Sequence, residues 1–253
     1  MQAVHLTLIR NATLVLRTAG LRLLVDPQLD PAGARPAVPN TPNPRPNPLV
    51  ELPEPPEALV ARLDAVLVTH LHQDHFDDTA RRLLPREKPV LCQPEDEQRL
   101  QADGFTDVRP VQDELTLGEL KITRTGGCHG TGKIGEAMAP VSGFVLSAPG
   151  EPTVYLAGDT IMCDHVRDTI AAHDPDVVVV NASAARFLDG DPIVMNADDV
   201  VELAALTPAR IVAVHLDAIA HATETRADLR KRLHGEGLSD RVAVPEDGSE
   251  VPL

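Results

Sequence analysis

Aromatic residues are nearly missing from this 253-residue chain, which has no Trp, one Tyr and four Phe. Single-stranded nucleic acid is held largely by stacking on such rings, so few platforms for it exist. Basic residues are outnumbered, 23 Lys+Arg against 38 Asp+Glu, and the formal charge is −15. Such acidity opposes a broad phosphate-binding face, although it leaves room for one small anion in a cleft. Cysteine occurs only as Cys92, Cys128 and Cys163, too few and too scattered for a disulfide framework. They read as small buried hydrophobes, and a reducing cytoplasm is the expected compartment. No run approaches the roughly 18 apolar residues of a membrane helix. Residues 1–10 show no basic stretch followed by a long apolar one, so neither a membrane span nor a signal peptide is expected.

Apolar residues are plentiful at 43%, enough for a buried core. The length suits one domain over residues 1–253. Val4–Ile9, Thr13–Arg17 and Leu21–Val25 are short β-rich runs separated by turn residues, and they predict a meander ending at Asp26-Pro27. Residues 27–56 then hold 11 of the 23 prolines. Proline cannot donate to a ladder, so this stretch reads as an extended Pro-rich loop. A loop this long is expected to be an ordered lid or a subunit contact, which makes a homo-oligomer a compatible state.

After it, Leu63–Thr69 reads as a buried strand, and the rest alternates. Helical patterns fall at Asp77–Leu84, Glu95–Ala102, Asp164–Ala172, Ala197–Leu206 and Thr225–Leu233. Strand patterns fall at Pro89–Cys92, Leu117–Thr125, Ser142–Ser147, Thr153–Ala157, Val177–Asn181, Ile211–His215 and Val242–Val244. Sheets in the centre with helices outside follow from this order.

Chemistry concentrates where the Leu63–Thr69 strand ends, in His70-Leu-His72-Gln-Asp74-His75. Imidazole and carboxylate are ligands for borderline divalent metals. His70 and His72 are two apart and share a face on an extended end. Asp74 and His75 then turn away, toward room for a second ion. Other polar residues end later apolar runs: His129 in Gly126-Gly-Cys-His129-Gly130, Asp159 after Val154–Gly158, and His215 after Ile211–Val214.

These motifs resemble the HxHxDH signature and downstream landmarks of the metallo-β-lactamase fold superfamily, in order and over nearly the whole chain. The resemblance implies an α/β fold, a four-layer αββα sandwich with metals at one edge of the sheets. It implies that His70, His72 and His129 hold one divalent metal, zinc or manganese. Asp74, His75 and His215 hold the second, and Asp159 bridges both. A hydroxide between the metals is then the expected nucleophile, so no Ser or Cys is needed. Cys128 adjoins a ligand but is expected to point away. Asp26, ending the third strand, is expected to orient a metal-binding His.

The stretch Ile9–Leu14 with Leu24–Pro27, and the pattern His215-x-Asp217-(x)3-His221, resemble a branch containing ascorbate-6-phosphate lactonase and N-acyl-phosphatidylethanolamine phospholipase D. Arg10-Asn11 stands where that branch often has Gly-His, which weakens a substrate role for Asn11. His221 is expected at the mouth of the site, and Asp74, Asp159 and His221 are the candidate catalytic residues. The branch implies a small, anionic substrate: a phosphorylated ester, lactone or phosphodiester. Arg10, Lys133 and Arg186 are the cations available for its phosphate. Two other classes stay open, a non-catalytic metal-bound scaffold and a nucleic-acid phosphodiesterase on the same fold. Acidity and scarce aromatics weigh against the second, and an intact ligand set weighs against the first.

Overall fold

The computed structural model describes residues 4–252; Met1–Ala3, part of the amino-terminal stretch read above, lie outside the described residues. The chain opens with β1 (His5–Arg10), β2 (Thr13–Thr18) and β3 (Leu21–Val25). After the Pro-rich segment come α1 (Pro56–Val60), β4 (Ala65–Val68), α2 (Asp78–Leu83), β5 (Val90–Cys92), α3 (Glu97–Ala102) and β6 (Val108–Pro110). The second half holds β7 (Glu114–Leu117), β8 (Leu120–Thr125), α4 (Gly132–Met138), β9 (Gly143–Ser147), β10 (Val154–Leu156) and α5 (Asp164–His173). It ends with β11 (Val177–Asn181), α6 (Ala197–Leu206), β12 (Arg210–Val214), α7 (Arg226–Gly235), β13 (Val242–Ala243) and β14 (Glu250–Pro252).

Two seven-stranded sheets result, ordered β14-β1-β2-β3-β4-β5-β6 and β7-β8-β9-β10-β11-β12-β13. Each is antiparallel over its first four strands and parallel over its last four. The two sheets therefore share one pattern of strand directions, with β3 and β10 as the pivots from antiparallel to parallel, although the edge strand β14 of the first comes from the end of the chain. Asp26 follows the first pivot strand and Asp159 closely follows the second.

Strand alternation explains the layers. In β3 and β4, Leu23, Val25, Ala65 and Leu67 face the core between the sheets, with Val177 and Val179 of β11 opposite. Leu24, Val66 and Val68 face outward and pack with Leu59, Ala80 and Leu100 of the first helical layer. Val178 and Val180 face Val166, Val200 and Leu229 of the second. A strand covered on both faces has no reason to alternate polar residues, hence the unbroken valines of β11. The αββα sandwich expected from the sequence is the architecture found. No helix among the described residues is long and apolar enough to cross a membrane.

Local signals set several boundaries. Asp77 caps α2 by accepting from the Ala80 amide (2.8 Å), and Pro85 follows its end. Asn196 with Asp199 and Thr225 with Asp228 form capping boxes at α6 and α7. The expected strand Leu117–Thr125 is corrected to a hairpin: Leu117 belongs to β7 and pairs with Leu120 of β8, and Gly118 makes the turn at φ 62°. Helices α1 and α4 and strands β6, β7 and β14 had no reading in the sequence.

Candidate metal centre

All the candidate ligands lie at strand ends or in the loops that follow them, on one edge of the sandwich. The backbone there is unusual. Asn11, Asp26, His215 and Asp217 have φ of 57°, 44°, 68° and 61°. Asn and Asp tolerate this left-handed region; for His215 it costs on the order of 1 kcal/mol or more. Gly158, at φ 69°, sets up Asp159, and a Cβ there would lie 2.8 Å from the Ser142 carbonyl. Tight turns at strand ends thus turn the side chains toward a common point.

Two groups of side chains form: His70, His72 and His129; and Asp74, His75, Asp159 and His215. Within each, one ligand atom per residue lies within 4.8 Å of the others. The Asp159 carboxylate stands between them. Its Oδ2 is 3.2 Å from His75 Nε2, 3.4 Å from His129 Nε2 and 3.8 Å from His70 Nε2, while Oδ1 is 3.8 Å from His215 Nε2. Asp74 Oδ2 lies 3.3 Å from His215 Nε2.

Hydrogen bonds fix the far side of each ring. Asp26 accepts from the Thr69 amide (2.8 Å), the Thr69 hydroxyl (2.7 Å) and His75 Nδ1 (2.8 Å). Because the Thr69 hydroxyl donates to Asp26, it accepts from His70 Nδ1 at 3.0 Å. His129 Nδ1 donates to the Ile193 carbonyl (2.7 Å), and His215 Nδ1 is 3.2 Å from Ser183 Oγ. Asn181 Nδ2 donates to Asp159 Oδ1 (2.6 Å). The result is that Nε2 of His70, His75 and His215 is buried with no hydrogen-bond partner. Orphaned nitrogens converging beside carboxylates suit divalent cations, since an unpaired buried polar atom otherwise costs about 1–3 kcal/mol.

Charge balance supports the same fit. Burial pushes His70 well below the ordinary imidazole range, and the neighbouring rings of His75 and His72 push it further. Burial also opposes charge on His75, yet Asp159 and Asp26 outweigh it and raise that ring well above its usual range. Burial opposes ionised Asp159 too, but His75, His215 and His129 hold it well below the carboxylate range.

His221 sits in the wall of a pocket of about 290 Å³ beside Asp74 and Gln73, only 8% exposed, with Nδ1 lacking a partner. Residues 35–39 of the Pro-rich segment form much of the same wall. Arg10 is not available to a substrate. Its guanidinium is fully buried and donates to the carbonyls of Val50, Gln28 and Asp30, each at 2.9 Å. Arg186 donates to the Gly190 carbonyl, and exposed Lys133 lines a separate pocket with Met138 and Phe187. Asn11 supports the frame: its Nδ2 donates to the Asp74 carbonyl (3.0 Å), and its own carbonyl accepts from the His215 amide (2.9 Å). Asn181, Thr69 and Ser183 escaped sequence reasoning. The available signal was positional for Asn181 and Thr69, each a polar residue ending a wholly apolar strand.

The Beta-lactamase superfamily domain matches residues 21–216. UPF0173 protein YddR of Bacillus subtilis is 36% identical over 248 residues, covering 96% of this chain and 98% of that protein. Two solved structures are similar over almost their full lengths. A "possible metal-dependent hydrolase" from Veillonella parvula matches with a TM-score of 0.96 at 35% identity, covering 100% of both chains. An isothiocyanate hydrolase from Delia radicum gut bacteria matches at 0.94 and 34% identity, covering 98% of this chain and 99% of that one. With its fold, its His/Asp cluster and these relatives in agreement, the chain belongs to the UPF0173 metal-dependent hydrolases of the beta-lactamase superfamily.

Proposed function

We propose that this hydrolase binds two divalent ions, zinc or manganese, and acts on a small uncharged electrophile, of which an isothiocyanate is the leading candidate. His70, His72 and His129 would hold one ion, Asp74, His75 and His215 the other, and Asp159 would reach both. Bound there, the ions supply a Lewis acid and lower the pKa of water from 15.7 toward about 7. The chain's own residues do the rest. Asp26 and Thr69 hold His75 and His70 in one tautomer, and Asn181 holds Asp159. His221, beside Asp74, keeps a free ring nitrogen to hold or pass a proton to the leaving atom.

The observation that carries the substrate class is that the one Lys or Arg lining this pocket among the described residues, Arg35, already has a carboxylate beside it. Arg35 Nε lies 3.0 Å from the Asp30 carboxylate, which offsets its charge, and its Nη1 donates to Gln73 (3.0 Å). A phosphate brought here would meet Asp74 without a dedicated partner. The isothiocyanate hydrolase relative supports an uncharged substrate of that kind. In the reaction R–N=C=S + H2O → R–NH2 + COS, the water oxygen adds to the central carbon, the C–N bond breaks, and both protons of the water end on nitrogen.

The test is a panel on zinc- and manganese-loaded protein: methyl and phenethyl isothiocyanate, an uncharged lactone, a phosphorylated lactone and an aryl phosphodiester. The lactone and phosphodiester arms cover the substrates implied by the branch resemblance. Amine release from the isothiocyanates, with little turnover of the phosphorylated compounds, is expected. Turnover of the phosphorylated compounds alone would overturn the uncharged-substrate reading.

A further inference from the structure

We infer that residues Arg35–Pro39 of the Pro-rich segment, together with Ile219, build a binding pocket for an apolar substituent on the substrate. The inference rests on the metal-centre reading above and adds what the substrate carries away from its reacting atom.

The pocket beside Asp74 and His221 is walled on its other sides by Pro36, Ala37, Val38, Pro39 and Ile219. Its volume, about 290 Å³, suits a small molecule. Part of its polar lining is already committed: Arg35 has Asp30 and Gln73 beside it, and the Asn47 side-chain carbonyl accepts from the Ala220 amide at 2.7 Å. An apolar group entering here covers aliphatic wall without stranding those partners. Burial of such surface is worth roughly 25 cal/mol per Å², so even a short tail adds useful affinity.

The wall is held in place rather than loosely draped. Arg35 and Asn47 exchange both backbone hydrogen bonds, at 2.9 and 2.8 Å. The Leu49 amide donates to the Ala218 carbonyl (2.8 Å), and the Leu188 amide donates to the Asn40 carbonyl (2.7 Å). The first pair braces the segment on itself, the Leu49 bond ties it to the stretch that carries His215 and His221, and the Leu188 bond ties it to the loop after β11. Prolines also reduce the freedom lost on ordering it. A fixed wall can discriminate tails by length, as a mobile flap cannot. Val38 is the residue to vary, because it is half-buried, lies in a loop and is not part of the metal cluster.

The probes are acetohydroxamate and 3-phenylpropanohydroxamate, which share a metal-chelating head and differ in the tail. Their affinities are measured by calorimetry on the zinc-loaded full chain. The long-tailed probe is expected to bind at least about tenfold more tightly than acetohydroxamate, a difference of about 1.4 kcal/mol. Val38→Trp should erase that advantage, with acetohydroxamate affinity changed less than about twofold. Val38→Ala, which widens the wall without disturbing the loop, should shift the preference toward longer tails. Equal affinities in the parent protein, or an advantage untouched by both substitutions, would overturn the pocket. The reaction reading fails separately: a tail advantage without isothiocyanate turnover keeps the pocket and removes the reaction, whereas turnover without tail dependence does the reverse.

Discussion

Asp26 has its backbone in the left-handed region and accepts three hydrogen bonds, one of them from His75. Its carboxylate fixes which His75 nitrogen faces the cluster. Asp26→Asn keeps the shape but removes the charge and turns an amide donor toward one of three donors. Outer partners of this kind are typically worth 10–100-fold in metal affinity. The substitution should therefore weaken zinc binding by about that factor, read by competition with a chromophoric chelator, while the circular dichroism spectrum is kept. Unchanged affinity would show that Thr69 alone positions the rings. At this scale the inner residues were legible in the sequence because His70 to His75 crowd polar groups where a buried strand ends. Their supports were not. A lone Asn181 or Ser183 carries no spacing signal, and the partner of His129 is the Ile193 backbone carbonyl, which every residue possesses.

Among the elements, the Pro-rich segment depends on a residue outside it. Arg10 ends β1 and reaches three carbonyls of residues 28–50 from a fully buried position. Burial lowers its pKa to about 10, so it stays charged at neutral pH. Asp77 adds a second fastening, accepting from the Asp30 amide at 2.6 Å while capping α2. Arg10→Met would strand three carbonyls, and unpaired buried acceptors cost about 1–3 kcal/mol each when they do not rehydrate. A loss of roughly 2–4 kcal/mol in urea unfolding is expected, with protease cleavage appearing first within residues 31–47. Stability within 0.5 kcal/mol of the parent would mean that the segment is held from its other side. Proline content announced this segment as irregular, but a charged arginine read as a candidate for phosphate gave no hint that it is a clamp. Helix α4 was hidden for a related reason: Gly132 and Gly135 weaken a helical pattern, and the Gly135 position is one where a Cβ would lie 2.6 Å from the Gly130 carbonyl. Strand β14 is three residues long, too short for alternation to register.

For the whole molecule, two sheets with the same pattern of strand directions meet so that the ends of β3, β4, β10 and β12 converge on one edge. The sequence displays this only as polar residues at strand ends, because the sheets match in strand directions while their side chains differ. Before metal binds, cluster stability comes from protons. His75, raised, contributes fully below its ordinary 6.5 and loses that contribution as pH rises through its folded value. Asp74 and Asp159, lowered, contribute fully above their ordinary 3.8 and lose it as pH falls through theirs. Both contributions are complete from about pH 4 to 6.5. Metal must displace the His75 proton, so uptake near neutral pH should release roughly one proton, and affinity should fall as pH is lowered. The most direct test of the central claim is elemental analysis of the native chain and of Asp159→Ala, with turnover on the substrate panel before chelation, after it and after reloading. Two divalent ions per native chain are expected, one for each ligand group, with turnover lost on chelation and regained with zinc or manganese. Asp159→Ala should lose at least one ion and nearly all turnover while remaining folded. Full turnover by the metal-free chain, or an Asp159→Ala protein with two ions and near-native rates, would contradict that claim.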